Sequence, residues 1–551
     1  MQNYPKYHIQ MKRFTFIIAA LLLFSLNSNA QNQRVLLLES FTNTSCGYCG
    51  MYNPAMDALI AANSDKIAAI KYHVSWPSDQ DPMYLHNTSE NNARTSYYSV
   101  TGVPYVVIDG NHFSGGPNQV TQSVVNQLQG IESPIEMRLS YEVNETENTI
   151  TVHVMGHVST DIQGNCKLYV GVIEREIHFT YTPGNNGERD FYSVMKKLLP
   201  NSSGTALNSM EAGSYFAYNF TWELANIYNM DQLDAIAWVQ NSNTKEVYQA
   251  CKSSETLEPF FANEASVSDV SNVKTMNCSG IAEPKVLITN FGSDAMTSAE
   301  LEVLVNGELL KTVDWTGNLA TFDSETVDLG EISFFVEEQN ALEVRIKSVN
   351  NSEDEASDNN VAVFNINQAS MSVGKTIKLT LRTDSNPQET TWRVTNLMTG
   401  EIVQEGGPYT EPSTLFNIII DISGDGCYDF TIFDAGGDGL AGSGVYGLKA
   451  GNTTLFSGKY FGYSESNEFS YEVTAGVCES LSQGTSIYPN PTSGMVNIVC
   501  EGRQAVTIYN MVGQCVFEGQ CDGELQIDMK VYGLGIYAIQ IGGETQRIVV
   551  K

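Results

Sequence analysis

Cys46 and Cys49 carry the chemistry that can be read most directly from this chain. They close the stretch Arg34 to Cys49, which reads R-V-L-L-L-E-S-F-T-N-T-S-C-G-Y-C. Val35 to Leu38 is a short apolar run of the kind shown by a strand buried on both faces. Thr42 to Ser45 is a polar turn, and the dithiol then opens a helix in which Tyr52, Ala55, Met56, Leu59 and Ile60 recur at helical spacing. A helix N-terminus holds unsatisfied N–H groups and about half a positive charge, and both stabilise a thiolate. This placement makes Cys46 an exposed nucleophile and Cys49, one turn later, the thiol that resolves a mixed disulfide.

Downstream stands Thr101-Gly102-Val103-Pro104, followed by strand-like Tyr105 to Ile108 and the turn Asp109-Gly110. Together with the C-x-x-C this resembles the thioredoxin superfamily, in which that proline is cis and packs against the dithiol. Pro54 is similar to the helix-kinking proline of the same superfamily. The resemblance implies an α/β thioredoxin-like fold. Its order would be strand, dithiol, helix, strand (Ile67 to Val74), helix (Glu90 to Tyr98), proline, strand and helix (Gln119 to Gln129). It also implies Cys46 and Cys49 as catalytic residues, with Pro104 and Val103 holding a substrate strand beside the sulfurs. The dipeptide Gly47-Tyr48 resembles that of periplasmic disulfide isomerases and related oxidases.

Two family residues are replaced. The buried carboxylate expected six positions before the first cysteine is Ser40, and the neighbouring Glu39 points to the other face of its strand. The usual tryptophan before the first cysteine is Ser45. An inert structural disulfide at 46–49 therefore competes with a redox-active pair. A zinc site needs four ligands; there is no second C-x-x-C, and His73 and His86 stand at no diagnostic spacing.

The start of the chain bounds its location. Residues 1–30 contain no acid, and Met11-Lys12-Arg13 precedes the apolar run Phe14 to Phe24. Ser28-Asn29-Ala30 then offers small residues, so a secretory signal peptide with cleavage after Ala30 is expected. Its apolar core is too short for a stop-transfer helix, no later stretch approaches about 18 apolar residues, and the mature chain is expected to lack a transmembrane span. A net charge of −33 argues against nucleic acid and anionic membrane as partners. In an exported chain the ten cysteines meet an oxidising setting in which disulfides persist, but the pairing of the eight beyond the dithiol stays open.

With 551 residues the chain has room for about four or five domains. After 31–131, residues 132–262 alternate apolar and polar side chains, as at Ile135, Met137 and Leu139, with apolar strands at Leu168 to Ile173 and Ala235 to Val239. That pattern predicts a β-sandwich. With the N-terminal motif it resembles the Omp28-related family of exported Bacteroidetes proteins, which has no well-defined activity to lend. His153, His157 and His178 fall in strand-like segments and are read as ordinary strand histidines rather than a metal cluster.

Residues 264–367 contain Pro284 to Gly292 and Leu301 to Gly307 and resemble the immunoglobulin-like CARDB modules of bacterial surface proteins. Residues 370–476 predict another sandwich, with strands at Thr376 to Arg382 and Trp392 to Asn396. Its segment Gly426 to Gly439 contains Asp434 and Asp438 and follows Asp425, and these three acids in glycine-rich loops could supply oxygen ligands to a structural calcium ion. Turn-forming Asp-Gly pairs explain the same residues without a metal. The final unit, 482–551, carries Tyr488-Pro-Asn-Pro-Thr-Ser-Gly494, Gly533-Leu-Gly-Ile-Tyr537 and a basic end. It resembles the C-terminal sorting domain of the type IX secretion system, which implies transport across the outer membrane and contact with that machinery.

The fold class expected is thus multidomain, an α/β thioredoxin-like unit followed by several all-β immunoglobulin-like sandwiches. No G-x-S-x-G, H-E-x-x-H or Walker A pattern is present. Two readings of function remain. One is a surface or secreted thiol–disulfide oxidoreductase that needs no cofactor and acts on exported proteins with thiols or disulfides. The other is a non-catalytic multidomain adhesin or binding protein.

Overall fold

The computed structural model describes residues 32–207, 210–473, 486–510, 513–541 and 544–551. The leader expected over 1–30, and Cys478, lie outside the described residues. The first elements are β1 (Leu36–Thr42), α1 (Gly47–Ala62), β2 (Ile67–His73), α2 (Pro82–His86), α3 (Thr88–Tyr97), β3 (Tyr105–Ile108), β4 (Phe113–Gly115) and α4 (Gln122–Gln129). Strand β1 is buried along its whole length. Leu36 and Leu38 pack with Met56 of α1 and Val125 of α4, whereas Leu37 and Phe41 pack with Ile70, Tyr72 and Trp238. Two covered faces are why this strand reads as a continuous apolar run.

Eight further strands follow: β5 (Ile135–Asn144), β6 (Thr149–Val158), β7 (Cys166–His178), β8 (Asp190–Leu199), β9 (Thr205–Ala206), β10 (Tyr215–Glu223), β11 (Leu233–Asn241) and β12 (Val247–Lys252). The main sheet has the order β12-β11-β7-β8-β2-β1-β3-β4. It therefore continues across residue 131, through a parallel contact of β2 with β8 at Lys71 and Val194. On β7 and β11 the side chains alternate between two layers. Leu168, Val170, Val172, Ala235 and Ala237 face the three-stranded sheet β10-β6-β5, while Tyr169, Ile173, Ile236 and Trp238 join the core beneath β1. The sandwich pattern of this region thus comes from one small sheet laid on the extension of the N-terminal sheet.

A fully buried ionic network fastens α3 to this sheet. Arg94 lies 2.6 Å from Glu39, the hydroxyl of Tyr98 donates to the other Glu39 oxygen at 2.6 Å, and Tyr72 donates at 3.1 Å. The guanidinium also stands over the rings of Tyr98, Tyr169 and Trp238.

At the end of α2, His86 sits with Nδ1 3.1 Å from Lys196 Nζ and Nε2 3.2 Å from the Tyr228 hydroxyl. Burial, followed by the charge on Lys196, holds the imidazole down from 6.5 to about 4. An unfolded chain takes up this proton at higher pH than the folded one, so stability is lost as pH falls from about 6.5 to about 4. After discounting for solvent screening of a half-exposed ring, the loss is on the order of 1 kcal/mol. Urea unfolding at pH 7 and pH 4.5 checks this: His86→Phe should lose less stability between the two than the parent chain.

The rest of the chain is β-rich. Residues 265–368, 371–472 and 486–550 each gather strands around a separate core, with Leu301 and Val344, Leu379 and Phe430, and Ile508 and Ile548 at their centres. A disulfide between Cys278 and Cys427 links the first of these to the second, flanked by Lys274, which pairs with Asp429 at 2.7 Å and Glu468 at 3.3 Å. Cys500 pairs with Cys521, while Cys515 is free and exposed. Cys166 and Cys251 are free and buried, and burial pushes their thiols up to about 11 and about 12, which makes them inert. Among the described residues no helix is long and apolar enough to cross a membrane.

Candidate functional site

The turn between β1 and α1 is held from three sides. Asn43 donates to the carbonyls of Val74 at 2.7 Å and Ser78 at 2.8 Å, and accepts the Ser45 N–H at 2.9 Å. Asp81 accepts the Thr44 N–H at 2.8 Å and pairs with His73 Nδ1 at 2.7 Å. Burial raises the Asp81 carboxyl, but His73 and the N–H groups of Thr44 and Tyr84 outweigh it and keep the group below the usual carboxylate range. The third side is the loop between β7 and β8. The Asn186 N–H donates to the Thr44 carbonyl at 3.1 Å, the Asn185 N–H to the Ser45 hydroxyl at 3.4 Å, and Gly184 packs so closely that a Cβ would lie 2.2 Å from the Thr44 oxygen.

This scaffold presents the dithiol. Cys46 is the N-cap of α1, its Sγ accepting the Cys49 N–H at 3.1 Å, and the two cysteines form a disulfide. The Cys46 sulfur stands 3.4 Å from the carbonyl oxygen of Val103, and the Val103–Pro104 peptide is cis. Spacing alone pointed to an exposed Cys46; here it is 5% exposed and Cys49 is 0% exposed, with the β7–β8 loop lying along the turn that carries them. Tyr48 and Met51 are 67% and 64% exposed and form the open rim.

Behind the sulfurs the buried stripe of α1 is Cys49, Asn53 and Met56. Asn53 donates to the Thr42 hydroxyl at 3.0 Å and to Glu188 at 2.8 Å, and Asn186 donates to the other Glu188 oxygen. Ser40 is in register with Lys71, whose ammonium reaches Asp57 on α1. Burial pushes both Glu188 and Asp57 up, opposed at Glu188 by the hydrogen bonds from Asn53 and Asn186 and at Asp57 by Lys71. A groove of about 780 Å³ runs between α1 and the loop, lined by Gly50, Pro54, Asp57, Asn186, Glu188 and Tyr192. No local signal in the sequence marks Glu188, because it comes from a loop more than a hundred residues after the dithiol.

The other candidates are dispersed differently from their order in the chain. Asp434 and Asp438 converge, joined by Glu389, with one oxygen of each within 4.8 Å of the others. Asp425 is not with them: it precedes the nine-residue strand Gly426–Asp434 that Asp434 ends, and accepts the Val473 N–H at 2.7 Å. His153 bonds Asn219 at 2.8 Å, His157 packs on Phe260, and His178 pairs with Asp190. Among the described residues these histidines belong to no metal-ligating group.

Residues 91–255 match the family model for outer membrane protein Omp28, and residues 486–551 match that for a secretion system C-terminal sorting domain. Among solved structures, HBP35 of Porphyromonas gingivalis is 16% identical with a TM-score of 0.34, covering 61% of this chain and 98% of that one. A domain of the outer membrane lipoprotein Omp28 from Porphyromonas gingivalis is 17% identical with a TM-score of 0.17, covering 22% of this chain and 87% of that one. The CARDB domain of the PF1109 protein from Pyrococcus furiosus, in complex with di-metal ions, is 22% identical with a TM-score of 0.17, covering 20% of this chain and 96% of that one. No curated protein sequence matches the chain. The sorting domain marks the chain as cargo of the type IX secretion system. The chain therefore carries a segment similar to Omp28 over residues 91–255 and is exported by type IX secretion to the cell surface through its C-terminal sorting domain.

Proposed function

We propose that this surface protein is a thiol–disulfide oxidoreductase whose N-terminal unit is thioredoxin-like and whose reactive pair is Cys46 and Cys49. One observation carries the reading: the Cys46 sulfur caps α1 and accepts the Cys49 N–H, with the Val103 carbonyl 3.4 Å away. A helix N-terminus stabilises the thiolate over the thiol, and the thiolate is the attacking species. In isomerisation the Cys46 thiolate attacks a substrate disulfide, giving a mixed disulfide and a substrate thiolate. A substrate thiolate or Cys49 then displaces Cys46, and when the substrate does so the dithiol returns unchanged. In oxidation a substrate thiolate attacks Cys46, Cys49 leaves as a thiolate, and a second substrate thiolate releases the reduced pair. Pro104 and Val103 align the substrate strand, and the partners are exported proteins with thiols or disulfides.

Glu188 takes the place of the carboxylate lost at Ser40. Held by Asn53, one turn beyond Cys49 on the same buried stripe, it is a carboxyl raised by burial and suited to exchanging the proton of the resolving thiol. Glu188→Gln should slow turnover roughly 10- to 100-fold and flatten the acid limb of its pH profile. Loss of rate with an unchanged profile would leave Glu188 a packing role only.

The direct test is Cys49→Ala in the full chain, followed by non-reducing electrophoresis and mass spectrometry of the surface fraction. Mixed disulfides through Cys46 are expected, and they should vanish in the Cys46→Ala, Cys49→Ala double variant. The competing reading, a binding protein with an inert disulfide, draws on the burial of both sulfurs. Absence of any trapped partner would favour it.

A further inference from the structure

We propose that Glu389, Asp434 and Asp438 form a calcium site that closes the glycine-rich loop after strand Gly426–Asp434. Asp434 is 2% exposed. Its Oδ2 accepts the N–H groups of Gly437 at 2.6 Å, Asp438 at 3.1 Å and Gly439 at 3.2 Å, which folds the loop around the carboxylate. Its Oδ1 is buried and has no hydrogen-bond partner, and the same holds for Glu389 Oε2. A desolvated carboxylate oxygen without a donor is costly. Oxygens of Glu389, Asp434 and Asp438 nevertheless lie within 4.8 Å of one another. Among the described residues, no lysine or arginine pairs with any of the three; Lys459 donates to the Gly442 carbonyl instead.

The approach of Glu389 is built into the backbone. Its carbonyl accepts the Ala435 N–H at 3.1 Å. A Cβ at Gly436 would lie 2.6 Å from Glu389 Oε2, so glycine is what lets the carboxylate reach the loop. Gly437 and Gly439 take φ of +81° and +66°, the left-handed region that turns the loop back towards Asp434.

A donor set of oxygens alone selects a hard cation, and an irregular loop suits the flexible coordination of Ca²⁺ better than the strict octahedron of Mg²⁺. On an exported protein the site meets calcium at extracellular concentration, where sites of about 10⁻⁴–10⁻³ M are filled.

Calorimetric titration of the decalcified full chain with CaCl₂ tests the site. Uptake is expected with a Kd at or below about 10⁻³ M, and Mg²⁺ should compete poorly. Glu389→Gln and Asp434→Asn should weaken that uptake at least tenfold, and Asp425→Asn should leave it unchanged. Asp438→Asn alters an exposed side chain and guards against misfolding of the buried variants; it too should weaken binding. No uptake by the parent chain, or uptake unaffected by Glu389→Gln and Asp438→Asn, would overturn the proposal.

Discussion

Replacing Cys46 with serine should lower disulfide exchange by about three orders of magnitude or more, as loss of a nucleophile does in other covalent mechanisms. The hydroxyl keeps the N-cap hydrogen bond that Sγ now makes to the Cys49 N–H, so α1 should start where it does now. Exchange then fails for want of a thiolate and not for want of a fold. Cys49→Ser should behave differently: attack survives, resolution does not, and covalent adducts accumulate. Insulin reduction with dithiothreitol as electron donor, read beside circular dichroism, gives the rates, and non-reducing electrophoresis after mixing the reduced, desalted variants with insulin without dithiothreitol gives the adducts. Equal loss in both variants without adducts would place the pair among structural disulfides.

Arg94→Leu should destabilise the N-terminal sheet by about 3–5 kcal/mol, because it strands Glu39 as an uncompensated charge at 0% exposure. Removing both charges, as in Glu39→Leu with Arg94→Leu, should recover much of this loss, since a buried pair replaced by apolar groups is often neutral. Tyr72 and Tyr98 would still need partners for the hydroxyls they now direct at Glu39, so recovery should stop short of the parent. Hydrogen exchange of the β1 and β2 amides in urea reads this locally, apart from the unfolding of the downstream β-rich units. A loss below about 1 kcal/mol for Arg94→Leu alone would mean that Glu39 finds water or a proton instead.

What the sequence made legible was local. The run Val35 to Leu38 announced a strand covered on both faces, and the alternation at Ile135, Met137 and Leu139 announced a sheet laid against a single core. What it concealed depends on pairing between distant segments. Nothing near Lys71 or Val194 marks them as parallel neighbours, so the continuity of the sheet across residue 131 could not be read from periodicity. Glu188 and Glu389 were missed for the same reason. Each is an unremarkable acid in its own loop, and only folding brings the first to Asn53 and the second to Asp434. Asp425 illustrates the reverse: near Asp434 in sequence, it is carried away by the extended strand between them. Residue counting measures distance along a chain, whereas a strand of this length separates its ends by about 3.3 Å per residue.

A glutathione redox titration of the full exported chain reads the poise of the Cys46–Cys49 pair most directly. The fraction oxidised is read by alkylation and mass spectrometry of the peptide that contains both cysteines. An oxidoreductase requires a midpoint between about −120 and −270 mV, the span of dithiol enzymes from strong oxidants to reductants. A midpoint below about −300 mV is the mark of a structural disulfide and would contradict the account.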